Sequence, residues 1–244
     1  MHEQLWITEF LNHYFSGIVT SALLTLRIHP NDPLNPISDA VAMQFVVAVL
    51  LLVFFVAIRR SLSVDKPGAL QHVAEMLNEL IAGQAHDIIG HQGAQFIPYL
   101  STLGLFILSC NLIGLIPGFK SPTQIPSVPL GCALTTFAYY HFHGIRFQGA
   151  WTYLKHFAGP EPKIAFMMFP IEIISHLARI MSLTIRLYAN MYAGELVTLA
   201  FASLIPILLP AGFLAFHIFV SLIQTVIFVL LTAIYITGAM QEEH

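Results

Sequence analysis

Ser182-Leu-Thr-Ile-Arg186-Leu-Tyr-Ala-Asn190-Met-Tyr-Ala-Gly-Glu195 decides what kind of protein this chain is. The stretch places a guanidinium inside a segment that otherwise has the composition of a membrane-embedded helix. Arginine stays protonated, so it cannot shed its charge in hydrocarbon as a buried lysine can. At a helix centre it costs about 2.5 to 3.5 kcal/mol on insertion scales, and water, a carboxylate or a partner protein has to oppose that cost. Arg186 therefore reads as a functional residue.

The rest of the chain agrees with a membrane reading. Of its 244 residues 57% are hydrophobic and 9% charged, and the mean hydropathy is +0.75; soluble domains are about a quarter charged. At roughly 20 residues per span, five or six helices fit and a large soluble domain does not. The expected fold is an all-α membrane protein with about five transmembrane helices plus an amphipathic surface helix, in a single integral membrane domain over residues 1–244. The net charge of −3 is too small to direct a partner, and nucleic-acid binding has no support. Cys110 and Cys132 sit in apolar runs without metal or disulfide spacing and read as packing residues. The N-terminus carries acids where a secretory signal carries basic residues, so the first true span is expected to serve as the insertion signal.

Residues 4–26 mix Trp6, Glu9, His13 and Tyr14 with apolar positions, which suits an interfacial helix in an N-terminal segment 1–39. The run Asn31-Asp-Pro-Leu-Asn-Pro-Ile-Ser-Asp39 breaks the helix, with Ser38 or Asp39 as the next cap. Ala40 to Ile58 is the first span, stopped by Arg59-Arg60. Residues 68–90 set Leu70, Val73, Leu77, Leu80 and Ile81 at helical spacing against Glu75, Asn78 and Glu79, an amphipathic pattern. The second span runs from about Phe96 to Ile116, ending at Pro117-Gly118, and the third from about Val128 to Phe142. Two long apolar segments, about 165–204 and 211–240, separated by Pro206 and Pro210-Ala-Gly212, form a helical hairpin. Basic residues favour the cytoplasmic side. Arg59, Arg60, Lys66, Arg146, Lys155 and Lys163 follow the first and third spans, while Arg27 and Lys120 lie opposite. That puts the N-terminus outside and the C-terminus in the cytoplasm.

At about 100° per residue, Glu172, His176, Arg179, Arg186 and Asn190 share an arc of roughly 80° on the fifth helix. Glu195 lies about 140° from Glu172, so it faces a different neighbour from Arg186. On the last helix His217, Ser221, Gln224 and Tyr235 also share a side. Two facing polar stripes line water or meet a partner's charged site, and the wheel does not choose. Arg179 and Glu172 also fit interfacial charges, and Asn190 and Gln224 fit ordinary interhelical hydrogen bonding. A stand-alone channel or secondary transporter using Arg186 to bind an anionic substrate is the main alternative, although repeat symmetry around a midplane site is not evident. A membrane enzyme or haem protein would need His176 and His217 to face each other as ligands.

The quoted run resembles subunit a of F-type ATP synthases. The resemblance extends to Pro170-Ile-Glu172-Ile-Ile-Ser, to His217 and Gln224, and to Asn111-Leu-Ile-Gly-Leu-Ile-Pro117-Gly-Phe-Lys-Ser-Pro-Thr. It covers most of the chain from about residue 31. Tyr188-Ala189 stand where most of that family has Phe-Gly, a small change in local packing. The resemblance implies a bacterial plasma (inner) membrane protein beside a ring of c subunits, held with peripheral-stalk b subunits. It also implies that Arg186 faces the ring's carboxylate, with Asn190 and Ser182 close to it. Glu195, His217 and Gln224 would then belong to a half-channel open to the outside, and Glu172 to the cytoplasmic path. No nucleotide-binding loop of the form G-x-x-x-x-G-K-[ST] occurs, so ATP chemistry is expected in other subunits. No metal or organic cofactor is expected, the His141/His143 pair lacking acids or cysteines to complete a site.

Overall fold

Helix is the secondary structure these apolar runs adopt, because it satisfies every backbone donor and acceptor within the segment, as hydrocarbon requires. The computed structural model describes residues 5–25, 35–63, 68–116, 118–153, 165–202 and 208–240. Its elements are α1 (Trp6–Thr25), α2 (Asp39–Ser61), α3 (Ala69–Ile89), α4 (Ile97–Ile113), α5 (Ser127–Gln148), α6 (Ala165–Ala202) and α7 (Leu208–Met240), with 3₁₀ turns at Gly90–Gln95 and Pro122–Gln124. Arg27, Lys66, Pro117, Lys155, Lys163, Pro206 and residues 241–244 lie outside the described residues.

Among the described residues, α2, α6 and α7 contain stretches long and apolar enough to cross a membrane: Asp39–Arg60, Phe166–Phe201 and Gly212–Met240. The other two expected spans differ from these in instructive ways. α4 is a shorter apolar helix of 17 residues, about 25 Å at 1.5 Å per residue. α5 has 22 residues, but His141, His143 and Arg146 near its end lower its hydropathy. α6, at 38 residues, is about 57 Å long, nearly twice the roughly 30 Å hydrocarbon core, so it cannot stand upright within the membrane.

Three details differ from the sequence reading: the capping of α2, the start of α7 and the buried side of α3. Ser38 holds the extended N-cap position of α2, yet its hydroxyl makes no capping bond. The side chain of Asp39 is used elsewhere: Oδ1 accepts from the Leu5 amide at 3.2 Å and the Thr8 hydroxyl at 2.8 Å, and Oδ2 accepts from Lys120 Nζ at 2.8 Å. One carboxylate thus joins α1, α2 and the α4–α5 connection. α7 begins before Pro210 rather than after it, since proline fits a helix's first turn, where its missing N–H has no partner to lose. α3 packs on α4 and α7 through Ile81 and Ala85, with Gln71 also buried, while Val73 and Leu80 remain exposed. Its buried stripe is rotated from the one the apolar residues outline.

The core lies where α4, α5, α6 and α7 meet. Leu103, Ile107, Ala133, Leu183, Leu187, Met191 and Phe228 form its centre, and Cys132 and Cys110 are buried in packing roles. α5 and α7 approach closely at Gly144, where an added Cβ would lie 2.9 Å from the Ala239 carbonyl oxygen and 2.7 Å from Tyr153 Cε2. A backbone oxygen cannot step aside cheaply. Gly144→Leu is therefore expected to destabilise the fold by about 1–3 kcal/mol through overpacking, read as a lower Tm of the purified, detergent-solubilised protein.

Candidate functional site

Antiparallel packing of α6 and α7 brings the two polar stripes together residue by residue. The Asn190 side-chain amide donates to Gln224 Oε1 at 2.6 Å, and Gln224 is buried. One turn further along α6, Gly194 meets His217: a Cβ there would sit 2.6 Å from His217 Nδ1 and 2.8 Å from Cε1. The imidazole rests directly on the α6 backbone because residue 194 has no side chain. Nearby, the buried Ser221 hydroxyl reaches Met191 Sδ at 3.9 Å.

Two cavities open from this contact. One, of about 200 Å³, is lined by Glu195, Thr198 and His217 together with Lys120, Ser121 and Gln124 of the α4–α5 connection. The other, of about 290 Å³, is lined by Asn190, Gly194, Thr198, His217 and the aromatic pair Phe213 and Phe216. His217 and Thr198 border both, so an acid, an imidazole and a carboxamide lie along one polar route. Such a route suits proton exchange, because an imidazole can take a proton on one ring nitrogen and release one from the other, and hydroxyl and carboxamide groups can hold the water between.

The connection is held firmly. Ser121 donates to the Cys110 carbonyl at 2.8 Å and shares a hydrogen bond with the Thr123 hydroxyl at 2.7 Å. Thr123 in turn donates to Asn111 Oδ1 at 2.7 Å. The Asn111-to-Thr123 motif thus fixes the wall facing Glu195. The sequence alone did not reveal that Lys120 and Gln124 share a cavity with Glu195, since nothing local links positions so far apart. Gly194 did carry a signal, a glycine inside a helical pattern, which marks close approach.

Arg186 sits apart from these cavities, half-buried, its Nη2 donating to the Ser182 hydroxyl at 3.1 Å, one turn earlier. Among the described residues no carboxylate lies within 4 Å of it. Leu183, Leu187 and Met191 face the core, whereas Met181, Ile185, Tyr192 and Leu196 are exposed. Arg186 therefore stands at the edge of an open apolar face, without an internal counter-ion.

Glu172 lies far from Glu195, 23 residues along the same helix or about 35 Å, in a second polar cluster. Its Oε1 is 3.3 Å from His176 Nε2, and His176 Nδ1 shares a 2.8 Å hydrogen bond with the Tyr140 hydroxyl of α5. His141 Nδ1 bonds the Tyr153 hydroxyl at 2.6 Å, and the Arg179 guanidinium lies 5.2 Å over the Tyr235 ring, a cation–π contact. Tyr140 and Tyr153 were not singled out in the sequence, because only tertiary packing brings them to this cluster. His141 and His143 do not act as a pair: His143 packs against Phe96 and Tyr139. His176 and His217 are also far apart, since His217 lies against Gly194, about 27 Å along α6 from His176. A shared haem between them is ruled out.

Gly194→Ala should push the His217 ring off α6 at little cost in stability, since the obstructed atoms end a mobile side chain. The expected result is a folded protein whose Tm stays close to that of the wild type while the His217 imidazole signals shift, measured by NMR of the histidine rings in the purified, detergent-solubilised protein.

Residues 41–237 match the family described as ATP synthase A chain. The chain is 55% identical over 244 residues to ATP synthase subunit a of Koribacter versatilis, covering 100% of both proteins. It is 48% identical over 210 residues to the subunit a of Solibacter usitatus, covering 86% of this chain and 90% of the relative. With that of Geotalea uraniireducens it shares 40% identity over 207 residues, 85% of this chain and 90% of the relative. A match that takes in both polar clusters, the arginine between them and all of the long hairpin leaves one conclusion: the chain belongs to the ATP synthase A chain family.

Proposed function

We propose that this chain, a multi-pass membrane subunit of an ATP synthase, is the non-catalytic stator half of a proton path, facing a ring of c subunits and held by peripheral-stalk b subunits. The observation that carries the reading is Arg186, a permanent cation without an internal carboxylate among the described residues, at the rim of an exposed apolar face. A charge so placed calls for an acid on a partner, and a ring carboxylate passing in the membrane plane meets that need.

The other site residues fall into place around it. Glu195, His217, Asn190 and Gln224 supply a half-channel on the side of the Lys120 connection, the side the basic residues mark as outside. Ser182 orients the guanidinium. Glu172 supplies the exit toward the cytoplasm, next to His176 and Tyr140. A carboxylic acid close to a guanidinium ionises more readily, so a ring carboxyl that arrives protonated gives up its proton beside Arg186. The same positive charge repels a proton that would pass straight between the half-channels. The protein sits in a bacterial inner membrane, N-terminus outside and C-terminus in the cytoplasm, its 244 residues acting as one membrane domain.

Reconstitution separates this from a stand-alone channel or transporter. Vesicles holding the chain by itself should show no proton or anion flux above lipid background, while vesicles holding the whole complex acidify on addition of ATP. Flux through the isolated chain, or failure to co-purify with a ring, would favour the transporter.

A further inference from the structure

His176 is a buried imidazole within a helix long and apolar enough to cross the membrane, and both of its ring nitrogens are engaged. Nε2 lies 3.3 Å from Glu172 Oε1, one turn earlier on α6, and Nδ1 shares a 2.8 Å hydrogen bond with the Tyr140 hydroxyl of α5. The Tyr140 ring lies almost parallel to the imidazole, centroids 5.8 Å apart and planes at 21°, so the imidazole is held in orientation as well as in place. The other titratable and charged groups around it, among the described residues, come from three elements and a loop. Arg179 follows on α6 and lies over Tyr235 of α7, the His141 ring of α5 is 4.7 Å away, and Tyr153, beyond α5, holds His141 at 2.6 Å. A carboxylate at Glu172 attracts positive charge onto His176, while Arg179 and a charged His141 repel it. An imidazole so balanced can take up a proton and also release it.

We propose that His176 binds the proton in transit at the cytoplasmic end of the path, passing it to Glu172 during synthesis and collecting it from Glu172 during pumping, with Tyr140 as the positioning residue that keeps Nε2 aimed at the carboxylate. This rests on the assignment of Glu172 to the cytoplasmic exit and adds the group that works inside it. His176 is four residues, or about 6 Å, nearer to Arg186 along α6 than Glu172 is, and it is the less exposed of the two. The transfer balances with one proton in and one out. Nδ1 gains a proton as Nε2 gives its own to Glu172 Oε1, and the carboxylic acid so formed loses that proton to cytoplasmic water. The Tyr140 hydroxyl follows the ring throughout, donating to a bare Nδ1 and accepting from a protonated one.

The test is ATP-driven acidification of inside-out vesicles holding the whole complex, with the medium that bathes the cytoplasmic face set to about pH 6 or about pH 8. The catalytic subunits are the same in every sample, so the ratio of variant to wild type reports the membrane path. His176→Gln keeps a side chain that can hydrogen-bond Tyr140 but cannot carry a proton. Its pumping should be about tenfold slower than wild type at the higher pH and within about twofold at the lower, where protons reach Glu172 unaided; a positioned acid or base is worth typically 10² to 10⁴-fold, and direct protonation of Glu172 offsets part of that. Tyr140→Phe should follow the same trend with a loss of about threefold at the higher pH, and it decides the proposal where His176→Gln fails to assemble. Wild-type rates in His176→Gln at both pH values, or the same loss at both, would overturn the proposal, the second result marking the imidazole as a packing group. Glu172→Gln separates the two readings. A slow Glu172→Gln beside a fast His176→Gln leaves the exit standing without His176, whereas wild-type pumping in Glu172→Gln removes the exit and the relay together.

Discussion

Replacing Arg186 with alanine is expected to abolish both proton-driven ATP synthesis and ATP-driven pumping while leaving the complex assembled. Among the described residues Arg186 makes one side-chain hydrogen bond, to Ser182 on its own helix, and it packs outside the cluster of Leu183, Leu187 and Met191, so its removal takes little from the fold. Its effect on a partner carboxylate is large. An opposite charge within about 4–6 Å lowers a carboxyl pKa by 1 to 3 units, and without it the ring acid keeps its proton as it passes. The barrier between the two half-channels is lost together with the trigger. Arg186→Lys should restore only part of the function, since lysine can deprotonate when desolvated and lacks the planar fork. Acidification of inside-out vesicles, with ring pull-down to verify assembly, measures both variants. Coupled pumping in the alanine variant would sink the mechanism.

Glu195→Gln should slow proton-driven turnover about tenfold, a graded loss rather than a complete one. The carboxamide keeps the shape of the side chain and its place in the cavity with His217, Lys120 and Gln124, so assembly is expected to be normal. What it loses is the ability to take and release a proton. A positioned acid or base contributes typically 10² to 10⁴-fold, and the effect here falls below that range because cavity water and His217 offer a parallel route. Glu195→Asp should retain more activity than the glutamine variant. Equal activity of Glu195→Gln and wild type, measured as ATP synthesis at a fixed proton-motive force, would remove Glu195 from the path.

The hairpin and its polar faces were legible in the sequence because both are local properties. Apolar length marks α6 and α7, and angular spacing marks the face that carries His176, Arg186 and Asn190. Asn190 and Gln224 read as residues for interhelical hydrogen bonding, while their pairing with each other is set by the packing register of α6 and α7. What stayed hidden depends on long-range packing. Asp39 reads locally as a helix cap, yet Leu5, Thr8 and Lys120 draw its carboxylate away. Val73 and Leu80 read as a buried stripe of α3, yet a chain surrounded by lipid can leave apolar side chains outside at no cost. Glu172 reads as a charge near a helix start with His176 one turn on, and only the approach of α5 supplies Tyr140 to that pair.

The spacing of the two polar clusters along α6 has an electrical consequence. Asn190, bordering the cavity of about 290 Å³, and His176, hydrogen-bonded to Tyr140, are 14 residues apart, or about 21 Å along α6. On the proposed path a membrane voltage falls mainly across the part that water does not enter; because α6 is tilted, this stretch spans at most about 21 Å of membrane thickness, and the field over it is at least about 1.4 times that across a full 30 Å core. Arg186 divides the stretch unevenly, about 6 Å from Asn190 and about 15 Å from His176. At 100 mV, worth about 2.3 kcal/mol for the whole crossing, the leg from Arg186 toward Asn190 takes about 0.7 kcal/mol and the leg toward His176 about 1.6. On the proposed path voltage and concentration gradient are therefore not interchangeable drives: a change in membrane potential would act most strongly on the step between Arg186 and the Glu172 end, whereas a change in outside acidity would act first on the occupancy of Glu195 and His217.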